Sequence, residues 1–277
     1  NELIEEFMLL ANKKVAGLIG EISNRKEQRT FVYRIHDKPN FEKLQKFASF
    51  ILKFGHKINF GSGKKIAESL NKVLYDVKGS KEQDLVENLA LRAMAKAEYS
   101  TSNIGHYGLA FKFYTHFTSP IRRYPDMLVH RLLHDHLNRQ PSMNKKVFEK
   151  MCRHSSDMEQ LAVEAERASI KYKQVEFMSE RIGQVFDGII SGVTEWGIYV
   201  EIIENKCEGM IHLRNLVDDF YEYDEDSYCI TGRSTGRKFQ LGDTVKIEIL
   251  RANIPKKQLD FILAESFKNN EIIDEQA

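Results

Sequence analysis

The period of the hydrophobic pattern changes near Gly183, and that change limits what the chain can fold into. Up to about Glu180 apolar residues recur at helical spacing, interrupted by short extended pieces at Thr30 to Ile35 and Leu109 to His116. From "GQVFDGIISGVTEWGIYVEII" onward, apolar and β-branched residues alternate with polar ones. Glycines punctuate at short intervals, and strands recur in "EGMIHL", "DTVKIEILRAN" and "QLDFIL". Residues that share one face of a helix would point to both faces of a sheet, so neither half can adopt the other's structure. The expectation is an α+β chain: a largely helical portion over 1–180, a small five-stranded β-barrel over 181–266 and a polar tail over 267–277. No Pro/Gly/Ser linker marks the junction, so the helix ending about Glu180 should feed straight into the barrel.

The first residues, "NELIEEFMLLANKKVAGLI", place Ile4, Met8, Ala11, Val15 and Gly17/Leu18 at helical spacing, a buried-helix pattern that begins at once. That abrupt start raises the expectation that the chain is part of something longer. The three cysteines, Cys152, Cys207 and Cys229, have no CxxC spacing, which argues against a disulfide framework or a zinc knuckle and fits a reducing cytoplasm. No apolar run reaches the roughly 18 residues of a membrane span, so a soluble protein is expected. Net charge is +1, from 41 basic and 40 acidic side chains. A polyanion site must therefore be local, since no overall field draws the chain to nucleic acid or membrane.

One local site stands out. In "GHYGLAFKFYTHFTSPIRRYPDMLVHRLLHDHL", Gly105 to Leu137, an extended piece turns into a helix through Thr118, Ser119, Arg122 and Arg123. Hydroxyls, backbone N–H groups and guanidinium forks at a helix start suit an anion such as phosphate. The competing reading is that Pro120 and Pro125 shape the turn while the arginines form a solvated rim.

Other signals are weaker. "FGSGKK" at Phe60 to Lys65 lacks the first Gly and the Ser/Thr of a phosphate-binding loop, and reads as a glycine turn before a helix. His130 and His134 lie one helical turn apart but have Arg131 between them and no evident third ligand, so a metal site is not expected. The cluster Asp218, Asp219, Glu222, Asp224, Glu225 and Asp226 is interleaved with Phe220, Tyr221 and Tyr223 and reads as a solvated loop of the barrel. The barrel offers a better candidate surface: Phe186, Trp196, Tyr199 and His212, with Arg214 and Lys238 nearby, are the residue types on which OB barrels stack single-stranded nucleic acid. The alternative for any one of these rings is a place in the core.

Taken in order, "LIEEFMLLAN" (Leu3 to Asn12), "FVYRIHDKP" (Phe31 to Pro39), "GHYGLAFKFYTHFTSPIRRYPDMLVHRLL" (Gly105 to Leu133) and "AERAS" (Ala165 to Ser169) resemble successive segments of the RNB catalytic domain of the RNase II/RNase R exoribonuclease family. "FDGIISGVTEWGIYVEI" and "EGMIHLRNL" resemble that family's S1 RNA-binding domain, an OB barrel. The resemblance runs from about Asn1 to Glu265. It implies a processive hydrolase that threads single-stranded RNA and releases nucleoside 5′-monophosphates from the 3′ end.

By the same resemblance Arg122 reaches the phosphate being cleaved, Glu5 lies at the active site near the 3′-terminal nucleotide, and Glu166 contacts RNA close to its end. Ser119 and Arg123 are grouped with Arg122 as RNA contacts. The family uses Mg²⁺ held by a cluster of aspartates. That motif lies upstream of the helix with which this chain begins and is absent here, together with the N-terminal cold-shock domains. The expectation is therefore a portion that binds RNA without cutting it alone, with no obligate protein partner, no membrane and no metal ligands of its own. Apolar helix faces turned toward the missing half would favour self-association. The rival reading is a non-catalytic RNA-binding protein that uses the S1 barrel and keeps a degenerate RNB scaffold.

Overall fold

The computed structural model describes residues 2–23, 29–52, 54–61, 63–80, 83–224 and 229–264. It is α+β, and its contacts divide the chain into two compact units, 1–41 with 92–164 and 42–91 with 165–277. Among the described residues no helix is long and apolar enough to cross a membrane.

The first unit contains α1 (Glu2–Ser23), β1 (Tyr33–His36), β2 (Ala97–Ser100), a 3-10 turn at Tyr107–Leu109 and α5 (Tyr124–Leu137). It also takes in the first part of α6 (Lys145–Ser179). β1 and β2 pair antiparallel, with Tyr33 opposite Ser100. The core gathers Ala16 and Ile19 of α1, Phe31 to Tyr33, Tyr99, Leu128, Val129 and Leu132 of α5, and Cys152 of α6. On α1 the buried stripe is Asn12, Ala16, Ile19 and Gly20, whereas Ile4 and Leu18 of the expected stripe are exposed. The helix turns its small and hydrogen-bonding side inward because Asn12 has buried partners, described below. The piece expected to be extended, Leu109 to His116, is also different. It opens in the 3-10 turn and makes only an isolated bridge, His106 to Phe111. Its later part still lies along β1, where Tyr114 O accepts from Arg34 N (2.9 Å) and the Thr115 hydroxyl donates to Val32 O (2.7 Å).

The second unit holds α2 (Phe41–Leu52), α3 (Gly63–Asp76) and α4 (Gln83–Ala93), the end of α6, and all of the later strands. The helices bury residues three and four apart, such as Leu44, Phe47 and Ile51 on α2. α3 starts at Gly63, inside the glycine turn read from "FGSGKK".

α6 ends at Ser179, and a short turn leads into β3 (Val185–Thr194), followed by β4 (Gly197–Ile202) and β5 (Glu208–His212). Next come β6 (Tyr221–Asp224), β7 (Cys229–Gly232) and β8 (Lys238–Gln240), then β9 (Thr244–Asn253) and β10 (Gln258–Leu263). Five of these close a barrel in the order β10-β5-β4-β3-β9. All its pairings are antiparallel except β10 with β5. Alternate residues, including Ile190, Ile198, Val200, Ile211, Ile247 and Phe261, point into one core that Val175 and Met178 of α6 complete. Each such fully buried side chain contributes about 1.5–3 kcal/mol relative to exposure.

β6, β7 and β8 form a separate three-stranded sheet, so Tyr221–Asp224 is a strand and not part of a solvated loop. The strand forms because Tyr221 and Tyr223 face inward against the barrel core, which also receives Ile230 and Phe239 of this sheet. Asp219 ties the turn beside it, accepting from the N–H groups of Ser234 and Thr235 (2.8 and 2.7 Å) and the Thr235 hydroxyl (2.7 Å). Glu225 and Asp226 lie outside the described residues.

Candidate nucleic-acid interface

The arginine turn is built from the start of α5 backward. Ser119 O accepts from the N–H groups of Arg122 (3.3 Å) and Arg123 (3.1 Å), closing the turn that Pro120 opens. Arg123 occupies the N-cap position without a side-chain cap, and Pro125 sits in the first turn, where its missing N–H costs nothing. The organising group is Asp126, in the same turn and completely buried. Its Oδ2 accepts from Ser119 N (2.8 Å) and from the Arg123 guanidinium (2.9 Å). Arg123 is thus committed to an internal carboxylate. Arg122 is exposed, and its side chain makes no hydrogen bond or ion pair among the described residues. The two adjacent arginines therefore differ in kind: one fixes the turn, and the other is available to an anion.

The strand-like segment beneath the turn is anchored from α1. Asn12 Oδ1 accepts from Phe117 N (2.9 Å), and Asn12 Nδ2 donates to the Tyr114 hydroxyl (3.3 Å). Glu5 lies two helical turns before Asn12 on the same face of α1, about 10 Å along the axis, and is exposed. His116 Nδ1 is 2.8 Å from the Tyr99 hydroxyl. Burial, followed by the charges of Arg123, Arg34, His106 and Arg122, pushes the His116 pKa down to about 3. Burial and the neighbouring His36 hold His106 at about 4. Arg34 lies over the Tyr99 ring (4.6 Å) and makes a two-pronged pair with Glu159 (2.6 and 3.1 Å). Neutral imidazoles below two arginines leave a net positive turn, an arrangement that attracts phosphate.

Both histidines of the His130/His134 pair have partners within the protein. His130 Nε2 donates to Phe117 O (2.9 Å) with its ring stacked on Phe117, and His134 Nε2 accepts from Asn138 (3.1 Å). Among the described residues no three His, Cys, Asp or Glu side chains are grouped to hold a metal ion. Glu166 lies exposed on α6.

On the barrel, Gly197 opens β4 directly opposite His212 of β5. A Cβ at Gly197 would stand 2.1 Å from Ile211 O, so the two strands approach as closely as they do only because the side chain is absent. Trp196, 70% exposed, projects from the turn just before it, and its carbonyl accepts from Leu213 N (3.1 Å). The register then sets Tyr199 opposite Met210, Met210 beside Asp260, and Asp260 opposite Arg251. His212 Nε2 lies 3.4 Å from Asp260 Oδ1, and exposed Arg214 follows in a 3-10 turn at Leu213–Asn215. Trp196, Tyr199, His212 and Arg214 therefore share one surface. Arg251 belongs to it too, although its strand carries no motif that would single it out; only strand order brings it there.

Two candidates fall elsewhere. Phe186 pairs with the fully buried Ile247 and packs against the barrel core, because its parity on β3 is inward. Lys238 is exposed on β8, where it lines a cleft with Asp187 near the start of β3. Trp196 lies just past the other end of that strand, so sequence proximity to the aromatic set does not become spatial proximity.

Residues 1–139 match the RNB domain family, and residues 179–261 match the S1 RNA binding domain. The chain belongs to the RNB family. Among relatives of this RNB chain, ribonuclease R of Thermotoga maritima is 39% identical over 277 residues, covering 95% of this chain and 37% of that protein. Ribonuclease R of Escherichia coli is 32% identical over 278 residues, covering 96% and 34%. The apo form of Mycoplasma genitalium RNase R superposes with a TM-score of 0.83 at 30% identity, covering 94% of this chain and 41% of that one. A complex of the same enzyme with ribose methylated single-stranded RNA gives the same score and coverage. The RNB chain described here thus spans well under half the length of these relatives.

Proposed function

We propose that this chain is the RNA-holding C-terminal portion of a 3′-to-5′ exoribonuclease that acts on single-stranded RNA in the cytoplasm and releases nucleoside 5′-monophosphates. The observation that carries the reading is the split between the adjacent arginines: Asp126 takes Arg123 and leaves Arg122 exposed on a neutral, arginine-rich base. A free guanidinium fork at that point is suited to neutralise charge growing on a phosphate oxygen. Glu5, Ser119 and Glu166 belong to the same reading as contacts to the RNA end. The S1 surface, with Trp196, Tyr199, His212, Arg214 and Arg251, supplies sequence-independent grip through stacking and phosphate contacts.

The Mg²⁺ that such hydrolysis uses does not fit the residues described here, since no carboxylates converge near the turn. No catalytic step is assigned through it. The whole protein would supply those ligands, and this portion would bind RNA without shortening it. Exposed Leu3, Ile4 and Phe7 on α1 favour self-association of the isolated portion, which a concentration-independent monomer mass would contradict.

The deciding experiment incubates this chain with 5′-labelled single-stranded RNA and Mg²⁺ and reads binding and product length together. Retarded, uncut RNA is the expected result. Stepwise shortening from the 3′ end would show that carboxylates of this chain complete the site, and absence of binding would reject the RNA reading.

A further inference from the structure

The first unit has a second basic site, at the far end of α1 from the arginine turn. A cavity of about 730 Å³ opens beside Gly20, eight residues and thus about 12 Å beyond Asn12 along the helix axis. Its size lies in the range of small-molecule sites. Lys112 and Lys145 reach it from two separate segments, and neither ammonium has a carboxylate partner among the described residues. No acidic side chain lines it among the described residues. Glu149, which is bonded to the lining residue Thr101, is already engaged: it accepts from Ser100 (3.1 Å) and from both the N–H and the hydroxyl of Thr101.

The hydroxyls are arranged to donate. Ser142 Oγ accepts from Thr30 N (2.9 Å), which leaves its own O–H for a ligand, and the Ser102 hydroxyl has no partner among the described residues. Aromatic rings line the cavity beside Lys112, whose Nζ lies over the Phe113 ring (5.3 Å to its centroid). Phe113 lies against Gly20, where a Cβ would stand 2.3 Å from the ring, and Tyr33 is its neighbour at 6.4 Å between centroids. Aromatic surface beside two ammonium groups without carboxylate partners and two hydroxyls with O–H groups to donate matches a planar base joined to a phosphate.

We infer that this cavity binds a nucleoside phosphate, with the base against Phe113 and the phosphate between Lys112 and Lys145. The ligand is either a free mononucleotide or one nucleotide of an RNA strand. Nothing in the inference depends on Arg122 or on the S1 surface.

Calorimetric titration of this chain with adenosine 5′-monophosphate tests it, with adenosine as the phosphate-free probe. Saturable binding of the nucleotide is expected, at least tenfold weaker for adenosine and at least tenfold weaker in the Lys112→Gln/Lys145→Gln variant. Lysine acylation of the unmodified chain gives a readout that needs no variant: the nucleotide should protect Lys112 and Lys145. Displacement of the nucleotide by a short RNA would identify the strand as the source, and lack of displacement would identify the free nucleotide; both retain the pocket. No binding heat with no protection, or equal affinity in the double variant, would overturn the inference. Trp196 fluorescence with an oligonucleotide should be the same in the variant and the parent, so failure here is distinct from failure of the RNA-holding reading.

Discussion

Asp126 Oδ2 binds Ser119 N–H and the Arg123 guanidinium at once, at 2.8 and 2.9 Å, from a position with no solvent exposure. The turn that presents Arg122 is therefore folded around a buried charge. Asp126→Ala removes the acceptor and leaves Arg123 and Ser119 N–H without it. Breaking a buried pair on one side costs about 3–5 kcal/mol, and the low end applies because Arg123 keeps some solvent contact. Urea denaturation of the variant should show a loss of about 3 kcal/mol; an unchanged midpoint would mean that the turn is held by other contacts.

Arg122 should matter for chemistry and little for affinity. In the intact protein, Arg122→Glu is expected to abolish turnover, at least the 10²–10³-fold that loss of one charge-stabilising donor costs. RNA retention should be largely kept, because the S1 surface is untouched. Turnover that survives the reversal would remove Arg122 from the reaction.

Trp196 is the only tryptophan, so its emission reports the S1 surface directly. It should change on saturation with a single-stranded oligonucleotide, and Trp196→Ala should weaken binding by about 1–3 kcal/mol, the value of one stacked base. Affinity should also fall as salt rises, since phosphate contacts release counterions. Phe186→Ala, by contrast, should act on barrel stability, because that ring packs on the core. A selective loss of RNA affinity in the Phe186 variant with unchanged stability would contradict its inward placement.

Two half-buried histidines make the first unit sensitive to mild acid. His116 and His106 have folded pKa values near 3 and 4, below the ordinary 6.5. Between these limits the unfolded chain binds protons that the native chain does not, so this stability is fully present above about pH 6.5 and is lost as pH falls to about 4 for His106 and about 3 for His116. The groups facing His116 are Tyr99, Tyr114, Arg34, Arg122, Arg123 and His106. Urea midpoints at pH 7 and pH 5 should differ less in His116→Gln than in the parent; equal differences would exclude His116 as a source of the slope.

What was legible in the sequence follows from periodicity. The change of period at Gly183 fixed a helical part and a five-stranded barrel, because a side-chain repeat of 3.6 or of 2 is local information. The strands of "EGMIHL", "DTVKIEILRAN" and "QLDFIL" and the arginine turn were visible for the same reason. The three-stranded sheet was hidden, since Tyr221 and Tyr223 alternate with acidic residues that look like a loop until the barrel core receives the rings.

The sequence alone also identified Trp196, Tyr199 and His212 as one class of residue, yet it could not separate them from Phe186 or from Lys238. That depended on strand parity and on strand order. The division of labour between Arg122 and Arg123 was equally out of reach, because it rests on where Asp126 is buried. Local pattern decides which elements form; which charges are already spent inside the protein, and which remain for a ligand, is settled only when distant segments meet and desolvate one another.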